Sequence, residues 1–494
     1  MVTSYGIYQY AYGFNILREF LKNNSALMNY SPDFLRRLSA NTIFSTFVYA
    51  PAFAGYLNMI FFSFLGYLFY LKEKPDLDKK EKAVSIFLII YLFIIIPVLI
   101  LTESKGGWFS FLFALAIFIR LGLRNHLKEL IKIFILAFTA ILLVGFLSFR
   151  IFPKIKFPEI NNFLLSLDVR IEYWKAAINM ILEKPVWGWG PGCFSFIYPL
   201  FKTKLAEETI MAHNSYLQIW AEGGIFSFTI FIWLWINFIL QGIKIIHKTL
   251  TSRFILIGLY CAVISFLAHN FIDFGFYESQ TALIAYALVA LFFLTTNIFD
   301  PNINKDLKIN NIFKTKALLT AAMLIIVFTL FYAGLKYSGE IYTFKFHQAI
   351  SRNKPELALG FIRKASKLDP LNSDYVFKQA LLQESLYFNK QKKLSFKSSS
   401  LPEIILLYKK AIRLNPYIAY YHFRLGEFLM QTDALANKDE ALYHYIRAKE
   451  IYPLKPFYHE QIARVYDIIG NKELSAYEKS IAEYLRQFYF TGTK

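Results

Sequence analysis

The residues with the clearest chemical potential lie in one polar interval, Asp168–Gly224, between two groups of hydrophobic segments. Arg170 supplies a permanent positive charge, and His213 supplies an imidazole, which can accept or donate a proton. Between them is a glycine turn that contains Gly188, Gly190 and Gly192. Successive N–H groups in such a turn can bind an anion. A histidine beside an arginine and a glycine turn could deprotonate a hydroxyl or hold a diphosphate, so the interval predicts an active site.

The spacing of apolar residues around the turn indicates which elements hold these side chains. Asp168 is predicted to be the N-cap of a helix, and Arg170 and Trp174 share one face of that helix because they are four residues apart. His213-Asn214 begins a second helix, which runs into a hydrophobic segment with Gly223-Gly224 at the junction. The predicted site thus lies where a helix, a turn and the start of a membrane segment meet.

The hydrophobic segments predict a multi-pass membrane protein. The chain has 494 residues and is 56% hydrophobic, with a mean hydropathy of +0.38. Crossing a bilayer takes roughly 20 apolar residues, and about eight segments approach that length. These segments are 48–70, 83–101, 106–120, 130–149, 225–243, 254–272, 280–298 and 316–335. We therefore expect an all-α membrane helical bundle of about eight spans.

Basic residues are concentrated in alternate connections between these segments, which predicts their orientation. The basic connections are 71–82, 120–132, 244–253 and 305–316, whereas the connection 271–279 has no lysine or arginine. By the positive-inside rule the basic connections face the cytoplasm, so the loop 150–224 and the tail after 336 are extracytoplasmic. These loops explain the net charge of +19 better than nucleic-acid binding does. Residues 1–47 would also lie outside, with no preceding helix to carry them across the membrane. Either they are translocated as a tail or, as we favour, they are the remnant of a longer N-terminal region.

Residues 340–494 predict a second domain of a different kind. Three stretches place an alanine five residues before a helix-ending proline: Ala365 and Pro370, Ala411 and Pro416, and Ala448 and Pro453. This arrangement is typical of a tetratricopeptide repeat of about 34 residues, in which stacked helix pairs form an α-solenoid. A repeat domain of this kind binds a protein or peptide partner or acts as a spacer. The predicted domains are therefore 1–47, a transmembrane domain 48–336 and the repeat domain 340–494.

The cysteine and carboxylate residues do not predict a metal site. The two cysteines, Cys193 and Cys261, are too few for a disulfide or zinc framework. Glu207 and Glu208 in the polar loop are neighbours in the chain, and neighbouring side chains on a helix do not share a face. The sequence therefore predicts a site with no metal and no cofactor.

In their order, these motifs resemble the O-antigen ligase and polymerase superfamily over roughly residues 5–300. The resemblance is carried by Arg170-x3-Trp174, the turn from Pro185 to Gly192, His213-Asn214-x2-Leu217, Glu222-Gly223, Phe44–Leu57, Leu101–Gly106 and His269-x3-Asp273. Two positions depart from the family pattern. Lys105 stands where the family usually has arginine, which keeps the charge but loses bidentate geometry, and Tyr49-Ala-Pro51 replaces the usual Asn-Pro-Asn.

This resemblance implies glycosyl transfer at the outer face of the bacterial inner membrane. The donor would be a glycan on undecaprenyl diphosphate, and the acceptor a lipid A core sugar, another glycan or a protein hydroxyl. Arg170, with Lys105 and Arg37 in support, would bind the diphosphate, and His213 would act on the acceptor hydroxyl or contact the diphosphate. The remaining residues are expected to shape the loop or support the site: Gly188, Gly190, Gly192, Asn214, Glu222, Gly223, His269 and Asp273.

Other functions are consistent with the same sequence. Polymerase and protein O-oligosaccharyltransferase activities differ from ligase activity only in the acceptor. A non-catalytic envelope scaffold could use the repeats to recruit partners. A transporter is less favoured, because no intramembrane charged pairs or inverted repeat stand out. His269 and Asp273 share one helix face and could form a structural pair rather than a catalytic one.

Overall fold

The computed structural model describes residues 1–23, 38, 42–122, 160–203, 206–299, 301, 316–390, 401–433 and 436–491. These residues form two compact units. The membrane unit comprises Met1–Gly192 and Met211–Asn310, and the repeat unit comprises Cys193–Ile210 and Asn311–Lys494. The predicted all-α class is confirmed, since the regular elements of the described residues are helices.

Helices of the membrane unit are numbered in chain order, together with one short helix of the repeat unit that interrupts them. They are α1 Val2–Tyr8, α2 Phe14–Asn23, α3 Ala50–Glu73, α4 Lys79–Leu101, α5 Lys105–Gly122, α6 Ile160–Glu183, α7 Phe194–Phe201 (repeat unit), α8 Ser215–Lys248, α9 Arg253–His269 and α10 Ser279–Phe299. Helix α6 begins at Ile160. Asp168 therefore lies inside this helix, and its prediction as the N-cap is wrong because the helical segment extends further upstream.

Five helices of the described residues are long and apolar enough to cross a membrane: α3, α4, α5, α8 and α10. Helix α9 is also apolar but shorter. The predicted segment 130–149 lies outside the described residues, and 316–335 is not among the candidate spans found in them. The expected count of eight spans is therefore not confirmed, although a membrane protein with several spans is.

Helix α9 is the centre of the membrane unit. Most of its side chains are buried, and it packs along α3 and α5. The α3 and α9 backbones approach closely at Gly66 and Gly258, where an added Cβ on Gly66 would lie 2.6 Å from the Gly258 Cα. Small residues allow such backbone contact between membrane helices. Asn58 of α3 donates hydrogen bonds to the Gly107 carbonyl at 2.9 Å and to Ser110 Oγ at 3.0 Å, which links α3 to α5.

The repeat unit contains successive helix pairs. Its long helices are α11 Lys316–Ser351, α12 Pro355–Leu368, α13 Ser373–Lys390, α14 Leu401–Leu414, α15 Ala419–Thr432, α16 Lys438–Ile451, α17 Pro456–Ile469 and α18 Lys472–Thr491. The repeat alanines Ala365, Ala411 and Ala448 are fully buried, and each lies in a helix that ends two residues before the expected proline. A small residue at these positions lets neighbouring helices pack closely, as the sequence pattern predicts.

Two buried histidines are expected to make the stability of the repeat unit depend on pH. His422 of α15 and His444 of α16 have their Nδ1 atoms 3.0 Å apart. Burial lowers the pKa of each imidazole to about 4, whereas an unfolded histidine has a pKa of about 6.5. Between these values the unfolded chain binds protons that the native pair does not. We therefore expect the stability of the repeat unit to fall by roughly 1.4 kcal/mol per pH unit for each histidine as pH decreases from 6.5 to 4.

Hydrogen exchange of α15 and α16 in the full chain, corrected for intrinsic rates, would measure this loss of stability. His444→Gln removes one titrating group and should reduce the pH slope. His347→Gln, at an exposed position of α11, is the control and should leave the slope unchanged. Equal protection of these helices at pH 7 and pH 5 would contradict the expectation.

Candidate active site

The candidate site begins at the N-terminus of α8. The Asn214 side chain caps this helix and accepts hydrogen bonds from the N–H groups of Tyr216 and Leu217, both at 3.0 Å. His213, the preceding residue, has a φ of +50°, in the left-handed region. Such a conformation is uncommon for a residue other than glycine and often occurs at functional positions. The backbone therefore makes a sharp turn at His213 immediately before the helix begins.

Asp273 is the buried carboxylate of the site. Its Oδ1 lies 3.7 Å from Nδ1 of His213, and its Oδ2 lies 3.9 Å from Nε2 of His269. Both are ion-pair distances and are longer than hydrogen bonds. The Tyr49 hydroxyl donates a hydrogen bond of 3.2 Å to Oδ2. One carboxylate is thus shared by two imidazoles and a phenol.

The charge of Asp273 is favoured by its neighbours. Burial raises the pKa of this carboxyl, but the imidazoles of His213 and His269 and the guanidinium of Arg170 outweigh burial and hold the pKa below its usual range. Burial and the Asp273 charge raise the pKa of the Tyr49 hydroxyl. Asp273 is therefore an anion near neutral pH, and Tyr49 is a neutral donor to it.

The His213 ring and backbone are held from several sides. The Tyr173 ring stacks on the imidazole at a centroid distance of 5.6 Å, and the Phe274 ring meets it edge to face at 4.8 Å. Trp174 Nε1 donates a hydrogen bond of 3.3 Å to the His213 carbonyl oxygen. The side chain of His213 is still 27% exposed. The imidazole is therefore oriented by its neighbours but remains open to a substrate.

Two cations lie around this group. The positive charge of Arg170, on α6, interacts electrostatically with Asp273, His269 and Lys105. Lys105 is the first residue of α5 and follows a turn in which burial raises the pKa of the Glu103 carboxyl. The structure thus brings together Arg170 and Lys105 with the histidines and Asp273. Arg37, the third predicted cation, lies outside the described residues.

The glycine turn has a supporting role. Gly188, Gly190 and Gly192 have φ values of +67°, +108° and +75°. Their N–H groups donate to the Lys184 carbonyl, the Glu222 carbonyl and the Glu222 carboxylate, respectively. These three N–H groups are engaged within the chain, so the turn does not present the anion-binding concavity considered from the sequence. Through the bonds from Gly190 and Gly192 to Glu222, the turn connects the chain that follows α6 to helix α8.

Glu222 is the side chain at the centre of this support. Its carboxylate accepts hydrogen bonds from the Gly192 N–H at 3.1 Å, the Tyr277 hydroxyl at 3.1 Å and Gln218 Nε2 at 3.2 Å. Gly223 is the next residue of α8, where an added Cβ would lie 2.6 Å from the Ser227 Cβ. Asn214, Glu222 and Gly223 therefore shape the first turns of α8 behind His213.

Among the residues that hold the glycine turn against α8, Gly224 is expected to lose the most stability when it is replaced. It breaks the helical conformation of α8 with φ 68° and ψ −175°, and an added Cβ would lie 2.0 Å from the Val186 carbonyl oxygen. We expect Gly224→Ala to destabilise the membrane unit by at least about 3 kcal/mol, because strain and overlap add.

The yield of folded monomer and its thermal midpoint in detergent would measure the Gly224→Ala effect. Gly360→Ala is the matched control. Gly360 lies inside α12, and no described heavy atom would come within 4 Å of its added Cβ. This control should be neutral or slightly stabilising. A Gly224→Ala protein as stable as the parent would contradict the steric argument.

Several residues of the site were not identified from the sequence. Tyr49 was visible only as a departure from the family's Asn-Pro-Asn, and Tyr173 and Phe274 adjoin predicted site residues without carrying a motif of their own. Tyr49 and Asp273 are 224 positions apart, so their hydrogen bond could not be inferred from spacing. No group of three or more possible metal ligands occurs among the residues that the structure describes.

The fold and the site together define an all-α membrane protein with a cationic, histidine-containing site. Residues 90–232 match the family model for O-antigen ligase. This part of the chain is therefore similar to the O-antigen ligase family, and the resemblance seen in the sequence is confirmed over these residues. Lys105, Arg170 and His213 all fall within the matched residues.

The other comparisons are more limited. An uncharacterized protein of Haemophilus influenzae is 27% identical over 222 residues, covering 39% of this chain and 54% of the relative. The chain thus spans about half the length of the curated relative it matches. Two solved structures, a crystal structure of MamA and MamA MSR-1 C2, show identities of 15% and 21%, with TM-scores of 0.25 and 0.23. They cover 44% and 28% of this chain, and 98% and 71% of their own chains. These TM-scores are too low to support an inference.

Proposed function

We propose that this protein transfers a glycan from undecaprenyl diphosphate to an acceptor hydroxyl at the outer face of the bacterial inner membrane. The observation that carries the proposal is the grouping of Arg170 and Lys105 with His213 and Asp273 in and beside the part of the chain that resembles the O-antigen ligase family. Cations suit the diphosphate of the donor, and a histidine paired with a carboxylate suits deprotonation of the acceptor.

The reaction follows from these roles. The acceptor oxygen forms a bond to the anomeric carbon of the donor sugar, and the bond from that carbon to the diphosphate oxygen breaks. His213 takes the hydroxyl proton, and Asp273 stabilises the resulting imidazolium at their 3.7 Å separation. Arg170 and Lys105 stabilise the negative charge that develops on the leaving diphosphate. Direct displacement inverts the anomeric centre, and these residues require no metal for any step.

A cavity beside the site supports a lipid-linked donor. It has a volume of about 690 Å³ and lies within the membrane unit between α5, α8 and α9. Its lining is largely apolar and includes Phe109, Phe113 and Trp235. Asn214, which adjoins His213, and Ile272, which adjoins Asp273, also contribute to it. A polyprenyl chain is apolar, so a donor bound here would have its diphosphate near the cations.

The orientation and the partners are part of the same proposal. The basic connections favour a cytoplasmic location for one end of the bundle, so the candidate site and the repeats would be extracytoplasmic. The acceptor would be a lipid A core sugar, a growing glycan or a protein hydroxyl. Membrane lipids surround the bundle, and the repeats would recruit a protein partner.

Reconstitution of the full chain in lipid vesicles tests the proposal. The donor is the undecaprenyl-diphosphate-linked glycan of the native host, and lipid A core, free glycan and acceptor protein are supplied in separate arms. We expect glycan transfer to one acceptor with release of an equal amount of undecaprenyl diphosphate. An intact donor in every arm, with lost glycan assembly in a host that lacks the gene, would instead favour an envelope scaffold.

A further inference from the structure

Helix α6 has a row of exposed apolar side chains along one side. Ile171, Ile178 and Leu182 lie on this side, because residues seven and four apart share a helix face. All three are exposed, and the exposed fraction of Leu182 is 71%. Ala177 and Met180, on a different side, are fully buried. The row is therefore a second apolar side of α6, separate from the one that packs inside the membrane unit.

The third side of α6 is polar. Asp168, Asn179 and Glu183 are exposed there, next to the apolar row. Lys175 lies between the polar and apolar sides, where a long side chain can extend its ammonium group toward water. A helix with one side packed on protein, one exposed apolar side and one exposed polar side is typical of a helix that lies in a membrane interface.

The turn after α6 continues an apolar surface that belongs to a membrane span. Trp187 is 79% exposed, and its ring lies 5.7 Å from that of Phe226, centre to centre. Phe226 begins an exposed stripe on α8 that continues through Ile230 and Trp233. Helix α8 is one of the candidate spans, and exposed apolar side chains of a span face lipid. The lipid-facing stripe of α8 thus extends onto the turn at Trp187.

Two backbone hydrogen bonds fix the position of Trp187 along α8. The Ile225 N–H donates to the Pro185 carbonyl at 2.9 Å, and the Trp189 N–H donates to the Ala221 carbonyl at 3.0 Å. Trp187 is therefore held where the apolar segment of α8 begins. Tryptophan is enriched at the depth where hydrocarbon meets water, since its ring is apolar and its N–H is polar. Position and residue type both indicate the membrane–water boundary.

We propose that the lipid bilayer is the partner of this surface, and that Ile171, Ile178, Leu182 and Trp187 insert into the interfacial region of the leaflet beside α8. We call these four residues the interfacial face. Lipid is the favoured occupant because the face is continuous with the stripe of a span and is bordered by charged side chains. Helix α6 then lies along the membrane surface, with Arg170 at headgroup depth. This placement goes beyond the proposed function and does not depend on the reaction.

Spin labels on adjacent residues of α6 test the proposal. Leu182→Cys carries the label on the interfacial face, and Glu183→Cys is the matched control, because Glu183 is also exposed but lies on the polar side. Cys193→Ser and Cys261→Ala remove the native thiols. The full chain is reconstituted in vesicles of phosphatidylethanolamine and phosphatidylglycerol. The measurement is the collision rate of each label with oxygen, which partitions into lipid, and with a water-soluble nickel chelate.

We expect the ratio of oxygen collisions to nickel collisions to be several-fold higher at position 182 than at position 183. Ile178→Cys and Asn179→Cys form a second pair and should show the same difference, so the result does not depend on the folding of one variant. Ready access of the nickel chelate to positions 182 and 178 would overturn the proposal, because the face would then be in water. Low collision rates with both reagents at these positions would also overturn it, and dipolar broadening between labels would then identify a second copy of the chain as the occupant.

Discussion

Replacement of His213 by alanine is expected to lower the rate of glycan transfer by about 10²-fold to 10⁴-fold, the usual contribution of a positioned base. The imidazole is the partly exposed member of a buried group, and it is stacked on Tyr173 and faces Asp273 at 3.7 Å. An alanine would leave the acceptor hydroxyl without a base. The measurement is initial transfer in vesicles at saturating donor, with the amount of protein in the membrane determined in parallel.

The matched control for this change is His247→Ala, at the exposed C-terminal end of α8, which should transfer at the parental rate. Asp273→Asn tests whether the histidine and the carboxylate act as a unit. Combined with His213→Ala it should add little further loss, because a carboxylate that acts through the imidazole has no role without it. Parental activity in His213→Ala would exclude His213 as the base.

Replacement of Arg170 by alanine is the second large effect that we expect, a loss of about 10²-fold to 10³-fold in kcat/KM for the donor. The positive charge of the guanidinium lowers the pKa of the Asp273 carboxyl, and the planar group can bind two diphosphate oxygens at once. Arg170→Lys should recover part of the activity, because lysine keeps the charge but not the planar fork. The measurement is transfer as a function of donor concentration.

Lys175→Ala is the control for this change, because it also removes one positive charge from α6. Lys175 is 57% exposed and is paired with Glu172, so Lys175→Ala should have no more than a small effect on transfer. Binding of a diphosphate-containing lipid, measured in the absence of an acceptor, should weaken in Arg170→Ala and not in Lys175→Ala. Equal donor affinity in the two variants would show that Arg170 does not bind the diphosphate.

Much of the architecture could be predicted from local patterns in the sequence. Five of the eight apolar segments predicted from the sequence correspond to candidate spans among the described residues. Length was informative because the backbone groups of a chain in a bilayer must be satisfied within a continuous helix. The repeat alanines Ala365, Ala411 and Ala448 were recognisable because their position before a proline recurs, and each is buried as expected. The start of α8 was also predictable, since Asn214 is a strong N-cap residue before an apolar run.

Other features were decided by contacts between distant parts of the chain. The sequence placed Asp168 at a helix end, but Asp168 lies inside α6, because the helical segment extends at least to Ile160 upstream. The sequence also treated 150–224 as one loop, whereas residues 193–210 belong to the repeat unit. Within that unit α7 packs against α16, and Tyr452 donates a hydrogen bond to Glu208, 244 positions away in the sequence.

The candidate site shows the same division. By itself the sequence determined that an arginine, a glycine turn and a histidine lie in the polar interval between membrane segments, because residue type and order are local information. Only the tertiary structure decided that Asp273 faces His213, that Tyr49 donates to Asp273, and that the N–H groups of Gly190 and Gly192 donate to Glu222 of α8. The physical reason is that burial, pKa and hydrogen-bond partners depend on which helices pack together, and packing brings together side chains whose separation in the sequence carries no signal.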